Sequence, residues 1–188
     1  TETDEDVLGI ADLAQKVYHV WRENTPNRSR GVRITVSTSC FVPKSHTPFQ
    51  WEAQNTQEEY LRKVTLLREH MRNKSITYNW HDPETSYLEA VLSRGDRRIA
   101  DVIEEAWRHG AKFDSWSEYF NLQTWLTAME TCGVSPAFYA NRVREKDEIL
   151  PWHVISDGVK ESYLWRERET AYAGKITPDC KVKCSGCG

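Results

Sequence analysis

The sequence has 188 residues, of which 39% are hydrophobic and 28% are charged, and its formal net charge is −3. These values are typical of a soluble globular protein that is long enough to bury a hydrophobic core, and they exclude a disordered chain. No apolar run approaches the roughly 20 residues of a membrane-spanning helix, so we expect no membrane partner. The interspersed charges argue against a broad nucleic-acid-binding surface.

The first predicted element is a helix from Thr1 to about Glu23. Thr3 is its predicted N-cap, and the acidic residues that follow favour the positive end of the helix dipole. One apolar face repeats with helical spacing, and its members are Val7, Ile10, Ala11, Ala14, Val17, Tyr18 and Trp21.

A strand and an unusual loop follow. Residues 32–37 alternate between apolar and polar types, which predicts a strand, and Pro43 and Pro48 end any further pairing. A connection between a strand and a helix usually needs about two to six residues. This loop is longer and contains Lys44, His46, Phe49 and Trp51. Two interpretations stay open: the loop binds a ligand, as loops after parallel strands do, or its aromatic residues anchor it to the core.

The pattern then repeats. A second helix is predicted from about Gln57 to Met71, with a capping box of Thr56 and Glu59. Residues 75–80 alternate and predict a second strand. Helices that alternate with strands indicate an α/β fold with a parallel sheet. Because two strands alone make a poor sheet, we expect further strands before Thr1, in a longer protein.

From His81 onward the sequence is mainly helical. The predicted helices run from Pro83 to Gly95, between Asp96 and Gly110, over Trp116–Phe120, over Leu122–Cys132, from Ser135–Pro136, and from a cap at Ser156 or Asp157 to about Ala173. We therefore expect three parts. Residues 1–80 form an α/β layer, 81–174 a helical extension, and 175–188 a cysteine-rich tail.

The tail contains three of the five cysteines, namely Cys180, Cys184 and Cys187. The odd cysteine number, the tight cluster and the lack of a signal peptide predict a reducing compartment, the cytoplasm, and metal ligation. Three thiolates at this spacing suit an iron–sulfur cluster with an open iron, or three ligands of a zinc ion. His153 is a candidate fourth ligand. The alternative is that the thiols are free in a frayed tail.

Two further groups are candidate sites. Arg94, Arg97 and Arg98 surround a predicted helix start and could clamp a phosphate or carboxylate. The alternative is an ordinary capping network with Asp96. Ser37 lies on the polar face of the first strand, which would look inward in a barrel, so Ser37 is a candidate for the mouth of a cavity.

Several segments resemble the C-terminal part of radical S-adenosylmethionine (radical SAM) enzymes. Residues 1–6 resemble the segment after the fifth barrel strand, and residues 36–50 resemble the sixth strand and its exit loop. The segment EAVLSRGDRRIADVIEEAWRHGAKFDSW, which ends at Trp116, is similar to one uncharacterised family with a cobalamin-binding-like N-terminal domain. This similarity continues through residues 147–152 to the tail.

The resemblance implies the end of a partial (β/α) radical SAM barrel in residues 1–80. It further implies a [4Fe-4S] cluster that, with a reductant, cleaves S-adenosylmethionine to a 5′-deoxyadenosyl radical acting on an unknown substrate, for which RNA and protein are candidates. Cobalamin is a candidate cofactor of the full-length protein. The family's cluster motif follows the first barrel strand. The tail cysteines follow the last helix, so they would form an auxiliary site, with the catalytic motif upstream and this chain inactive alone.

The resemblance also assigns site residues. Ser37, Phe41, Pro43 and Thr47 would approach S-adenosylmethionine or substrate, and the three arginines would belong to the rim of the same site. The competing hypothesis is a non-catalytic module that presents zinc or an iron–sulfur cluster to a partner. A third hypothesis, RNA binding through tail lysines and exposed tryptophans, is disfavoured by the near-neutral charge.

Overall fold

The computed structural model describes residues 2–27 and 29–188, so the prediction for Thr1 lies outside the described residues. The chain divides into two compact units. The first contains the residues up to Cys40 together with Asn55–Ser86, and the second contains Phe41–Gln54 together with Tyr87–Gly188. The loop predicted as part of the α/β layer therefore belongs to the helical unit, and the cysteine tail belongs to that unit too.

The first unit alternates helices and strands as the sequence predicts. Its elements are α1 (Asp4–Asn24), β1 (Ile34–Thr38), α2 (Gln57–His70), β2 (Ile76–Trp80) and the beginning of α3 (Pro83–Arg94). A capping box opens α1, because the Thr3 hydroxyl accepts from the N–H of Asp6 and the Asp6 carboxylate accepts from the N–H of Thr3. The Thr56 hydroxyl likewise accepts from the N–H of Glu59 at the start of α2. Both predicted N-caps are confirmed.

The two strands are parallel, and α2 connects them. Their register pairs Ile34 with Ile76 and Thr38 with Trp80. The apolar face packs against α1 and α2, and the buried members of this core are Val7, Ala11, Ala14, Leu67, Met71 and Ile76. The side chains of the opposite face are exposed, namely Thr35, Ser37, Thr77 and Asn79. The α/β class is confirmed, with two strands in the part of the chain that the structure describes.

The second unit is helical. It contains the rest of α3 with α4 (Ile99–Arg108), α5 (Leu122–Thr131), α6 (Pro136–Ala140) and α7 (Glu161–Tyr172). The most deeply buried residues of its main core are Ala90, Val91, Val102, Ala106, Ala128, Met129 and Ala140. A second cluster joins the loop to α7 and consists of Trp51, Leu150, Trp152 and Leu164.

One helix predicted in this unit is absent, and the last helix is present but begins later than predicted. Residues 116–120 form turns, because Trp116 and Tyr119 are exposed and offer no buried face to stabilise a short helix. The last helix begins at Glu161, since Asp157 accepts from the N–H of Val159 in a local turn and Gly158 has a φ of 85°. Among the described residues, no helix is long and apolar enough to cross a membrane.

Candidate functional site

The conformation of the loop after β1 is held by contacts with other residues of the second unit. Trp51 is fully buried, which confirms that this aromatic residue anchors the loop. Gln50 is also buried, and its Oε1 accepts from the backbone N–H of His46 at 2.9 Å and from the indole N–H of Trp152 at 2.7 Å. His46 has a φ of 56°, a strained value for a residue other than glycine. The loop is thus held by specific contacts.

The four residues assigned to S-adenosylmethionine or substrate have different environments. Ser37 is exposed on the polar face of β1 in the first unit, whereas Phe41, Pro43 and Thr47 belong to the second unit. Phe41 packs edge-on against Phe49 with ring centroids 6.1 Å apart. Pro43 is fully buried, and the Thr47 hydroxyl donates to the carbonyl of Lys44. Within the loop, Phe41 is the most exposed of the three and Pro43 packs inside.

The three arginines assigned to a rim do not share one surface. Arg94 is fully buried and donates to the carbonyl of Glu52 at 2.6 Å. Its own carbonyl accepts from Arg144 at 2.8 Å. Burial, followed by the nearby positive charge of Arg144, lowers the pKa of Arg94 to about 10. Arg94 therefore connects the loop to the helices.

Arg97 and Arg98 are exposed at the start of α4. The Arg98 guanidinium pairs with Asp96 at 2.6 Å, and this hydrogen bond strongly depresses the pKa of the Asp96 carboxyl. The backbone N–H of Arg98 also donates to the same carboxylate. The capping network considered as the alternative for this group is thus present.

The three tail cysteines are free and exposed. Hydrogen bonds hold the tail against the start of α7, because the Cys187 carbonyl accepts from the backbone N–H of Lys160 and the Ser185 carbonyl accepts from the guanidinium of Arg166. Thiolates fit zinc or an iron–sulfur cluster chemically. In the described residues, however, no group of three or more His, Cys, Asp or Glu side chains is arranged to hold a metal ion. A metal would have to draw the thiols together.

His153 has other partners than the thiols. Its Nε2 lies 3.2 Å from the Glu161 carboxylate, and its Nδ1 faces the N–H of Leu150 at 3.4 Å. Both ring nitrogens therefore have partners. The role of His153 as a fourth metal ligand remains a prediction.

Two cavities in the second unit were not predicted from the sequence. The tryptophan cavity, about 350 Å³, is lined by Trp51, Trp165, Lys146, Asp147, Glu148, His153, Glu161 and Ser162. The histidine cavity, about 340 Å³, includes His46, Gln50, Trp152, Asp157, His153 and Glu161 in its lining. The His153–Glu161 pair lines both. Each cavity combines residues of the segment 146–165 with residues of the loop around positions 46–51, so no local motif could reveal the complete lining.

Comparison with known proteins gives no relative from which a function could be transferred. No family model, curated protein or solved structure matches the chain. The functional proposals therefore depend on the sequence segments and on the geometry of the two units.

Proposed function

We propose that this chain is the C-terminal part of a radical SAM iron–sulfur enzyme. Reductive cleavage of S-adenosylmethionine is the chemistry that the catalytic [4Fe-4S] cluster supplies, and its ligands would lie upstream of these residues. The chain itself contributes strands of the barrel and an auxiliary metal site in the tail. A cytoplasmic location and an external reductant belong to the same proposal.

The parallel unit β1–α2–β2 is the observation that carries this proposal. Both flanking helices cover the apolar face of the sheet, and the opposite face is polar. In a (β/α) barrel, the helices surround the strands and the other face looks inward. Ser37 is directly paired with Asn79 in the register of this polar face. These two side chains could donate and accept hydrogen bonds to a polar ligand in the barrel.

The thiols of the tail support the proposed auxiliary metal site, because they are suitable metal ligands. Cys180, Cys184 and Cys187 are all accessible to a metal or a cluster from solvent. Gly186 has a φ of 67°, a conformation that lets the backbone turn between the last two cysteines. Metal binding commonly couples to local folding in such segments. The tail would therefore rearrange locally to bring its thiols around the metal.

The second candidate function is a non-catalytic module that presents zinc or an iron–sulfur cluster to a partner. The exposure of all three thiols on a segment held by backbone contacts favours it. Such a module would bind metal without any role for the polar sheet face. Ser37 and Asn79 therefore distinguish the two hypotheses.

Anaerobic iron–sulfur reconstitution of this chain tests the tail, with metal analysis and EPR before and after dithionite. We expect about four irons per chain, lost in Cys180→Ser, Cys184→Ser and Cys187→Ser but kept in the control Cys132→Ser. One zinc per chain without reducible iron would instead support the non-catalytic module. Binding of neither metal would contradict the auxiliary site and both hypotheses for the tail.

The polypeptide from the complete coding sequence tests the enzyme itself. With dithionite and S-adenosylmethionine, we expect it to form 5′-deoxyadenosine. Ser37→Trp should abolish this product because the large side chain would fill the inward face, whereas Thr65→Trp, a change at an exposed position of α2, should not. Absence of 5′-deoxyadenosine from the wild-type protein after a reducible cluster has been verified would overturn the radical SAM proposal.

A further inference from the structure

We propose that the histidine cavity binds an aminoacyl group with a free α-ammonium, the chemistry shared by an amino acid amide and the N-terminus of a peptide. This proposal does not depend on the radical SAM hypothesis, because the cavity lies entirely within the second unit and uses none of the tail cysteines. Its volume of about 340 Å³ is that of a small-molecule site. Three observations carry the proposal: an amide donor without an acceptor, two accessible carboxylates, and a lining that, among the described residues, contains no lysine or arginine.

Gln50 supplies a hydrogen-bond donor in a fixed position. Its side chain is 2% exposed, and its Oε1 accepts both from the backbone N–H of His46 and from the indole N–H of Trp152. Because these two donors identify the oxygen of the amide, the other terminal atom is Nε2, which carries two N–H donors. This nitrogen has no acceptor among the described residues, but it keeps solvent access, and Gln50 lines the histidine cavity. The amide thus offers an N–H to an oxygen of a ligand.

Asp157 keeps one carboxylate oxygen for a ligand. Its Oδ1 accepts from the backbone N–H of Val159 at 2.9 Å, which fixes the orientation of the side chain. Its Oδ2 lies 3.8 Å from Nδ1 of His46, which is too far for a hydrogen bond. The side chain of Asp157 is 36% exposed, so a molecule in the cavity can reach Oδ2. Asp157 therefore provides an accessible acceptor for an ammonium group.

Glu161 provides a second accessible carboxylate, with a side chain that is 44% exposed. Its Oε2 lies 3.2 Å from Nε2 of His153. Because Nδ1 of the same ring accepts from the backbone N–H of Leu150, the ring proton lies on Nε2, which faces Glu161. Oε1 of Glu161 has no donor among the described residues. The negative charge of Glu161 is therefore available to a cation in the cavity.

These groups together define the chemistry of the ligand. Two carboxylates in one cavity are complementary to a cation, and an ammonium group has three N–H donors with which to bind them. The amide of Gln50 requires an oxygen acceptor in the same molecule. An aminoacyl group carries an ammonium and a carbonyl oxygen on neighbouring carbon atoms. A free amino acid would instead bring a third carboxylate beside Asp157 and Glu161, so an amide or peptide carbonyl is the better match.

Calorimetric titration with L-alaninamide tests the proposal against two matched probes. N-acetyl-L-alaninamide lacks the ammonium, and isopropylamine lacks the carbonyl. We expect L-alaninamide to bind at least about 10-fold more tightly than the acetylated probe and about 3-fold more tightly than isopropylamine, since hydrogen bonds to charged groups contribute more than neutral ones. Trialaninamide distinguishes the two sources: binding as tight as that of L-alaninamide indicates a peptide N-terminus, and weaker binding indicates a small amide. Equal affinity for either matched probe, or no binding of L-alaninamide, would overturn the proposal.

Two further measurements locate the binding in this cavity. Glu161→Gln should weaken the binding of L-alaninamide at least about 5-fold, because it removes a counter-charge. Glu169→Gln, the same change at another exposed position of α7 outside the lining, should leave binding unaltered. In ¹H–¹⁵N NMR spectra, L-alaninamide should shift the side-chain amide signals of Gln50 but not those of the exposed Gln123. Equal affinities of the two variants, or unchanged signals of Gln50, would overturn the proposal.

Discussion

Trp152 donates its indole N–H to the side-chain oxygen of Gln50 at 2.7 Å, and both side chains are buried. The same oxygen accepts from the backbone N–H of His46 at 2.9 Å. One amide oxygen thus satisfies two donors that are more than 100 positions apart in the chain. The loop after β1 is joined in this way to the segment before α7.

Gln50→Leu should therefore destabilise the second unit. Each buried donor left without an acceptor costs about 1–3 kcal/mol, so we expect a decrease of at least ~2 kcal/mol in the free energy of unfolding. Urea unfolding followed by circular dichroism measures it. Gln123→Leu, a change at an exposed glutamine of α5, is the control and should alter stability by less than ~0.5 kcal/mol. Equal effects of the two changes would contradict the predicted role of Gln50.

A substitution at Met129 tests how tightly the main core of the second unit is packed. Its side chain is 1% exposed, and truncation to alanine would leave a cavity that the surrounding helices cannot fill completely. Met129→Ala should cost about 2–5 kcal/mol, measured by thermal or urea unfolding. Ile149 is 85% exposed, so Ile149→Ala should be nearly neutral. A small effect of Met129→Ala would show that this core is loosely packed.

The Arg142–Glu148 pair predicts a loss of stability in acid. The hydrogen bond from Arg142 holds the pKa of Glu148 below its ordinary value of 4.5. The carboxylate of Glu148 therefore binds a proton more tightly in the unfolded chain than in the folded protein. The stabilisation that this ion pair provides is complete above about pH 4.5, and it is lost as the pH falls through the lower pKa of Glu148 in the folded state.

Glu148→Gln should remove that part of the pH dependence. Between about pH 6 and pH 3, its free energy of unfolding should fall less steeply than that of the wild type. Urea unfolding at several pH values measures the slope, with Glu130→Gln as an exposed control on α5. The same slope in Glu148→Gln and the wild type would argue against a folded-state interaction of this carboxylate.

The cysteines should differ in reactivity. Cys180, Cys184 and Cys187 are exposed, whereas Cys40 is half-buried, and burial raises the pKa of its thiol. Burial and nearby carboxylates also raise the pKa of Cys132. Since the thiolate is the reactive form, iodoacetamide at neutral pH should alkylate the three tail cysteines about 10-fold faster than Cys40. Peptide mass spectrometry over time measures this order.

In the denatured chain, all five cysteines should react at similar rates, which provides the control for local sequence effects. Faster alkylation of Cys40 than of the tail in the native protein would contradict the exposure of the tail. Protection of all three tail cysteines by added zinc or by a reconstituted cluster would support metal ligation. Protection of only one would not.

Local rules predict the regular elements well. The capping residues Thr3 and Thr56 mark where α1 and α2 begin, because a side-chain acceptor for free N–H groups is a property of a few neighbouring residues. Period-two alternation similarly locates β1 and β2. The prediction fails at Trp116–Phe120, where the aromatic spacing looks helical but only Phe120 packs against the core, while Trp116 and Tyr119 are exposed.

Contacts between residues that are distant in the chain could not be predicted from the sequence patterns. Arg94 sits in a charged run and would be expected at the surface, yet it is buried through contacts with Glu52 and Arg144, which are distant in the chain. The tryptophan cavity depends in the same way on Trp51 and Trp165 meeting across more than 100 positions. Only the packing of the second unit creates these contacts.

The burial of Trp51 has a consequence for synthesis of the protein. Its core partners Leu150, Trp152 and Leu164 lie about 100 residues later in the chain. At a translation rate of about 5–20 residues per second, Trp51 emerges from the ribosome roughly 5–20 s before these partners exist. During that interval its large apolar surface is available to chaperones or to other nascent chains. Pauses in translation within residues 55–150 would lengthen this exposure and should reduce the yield of folded protein.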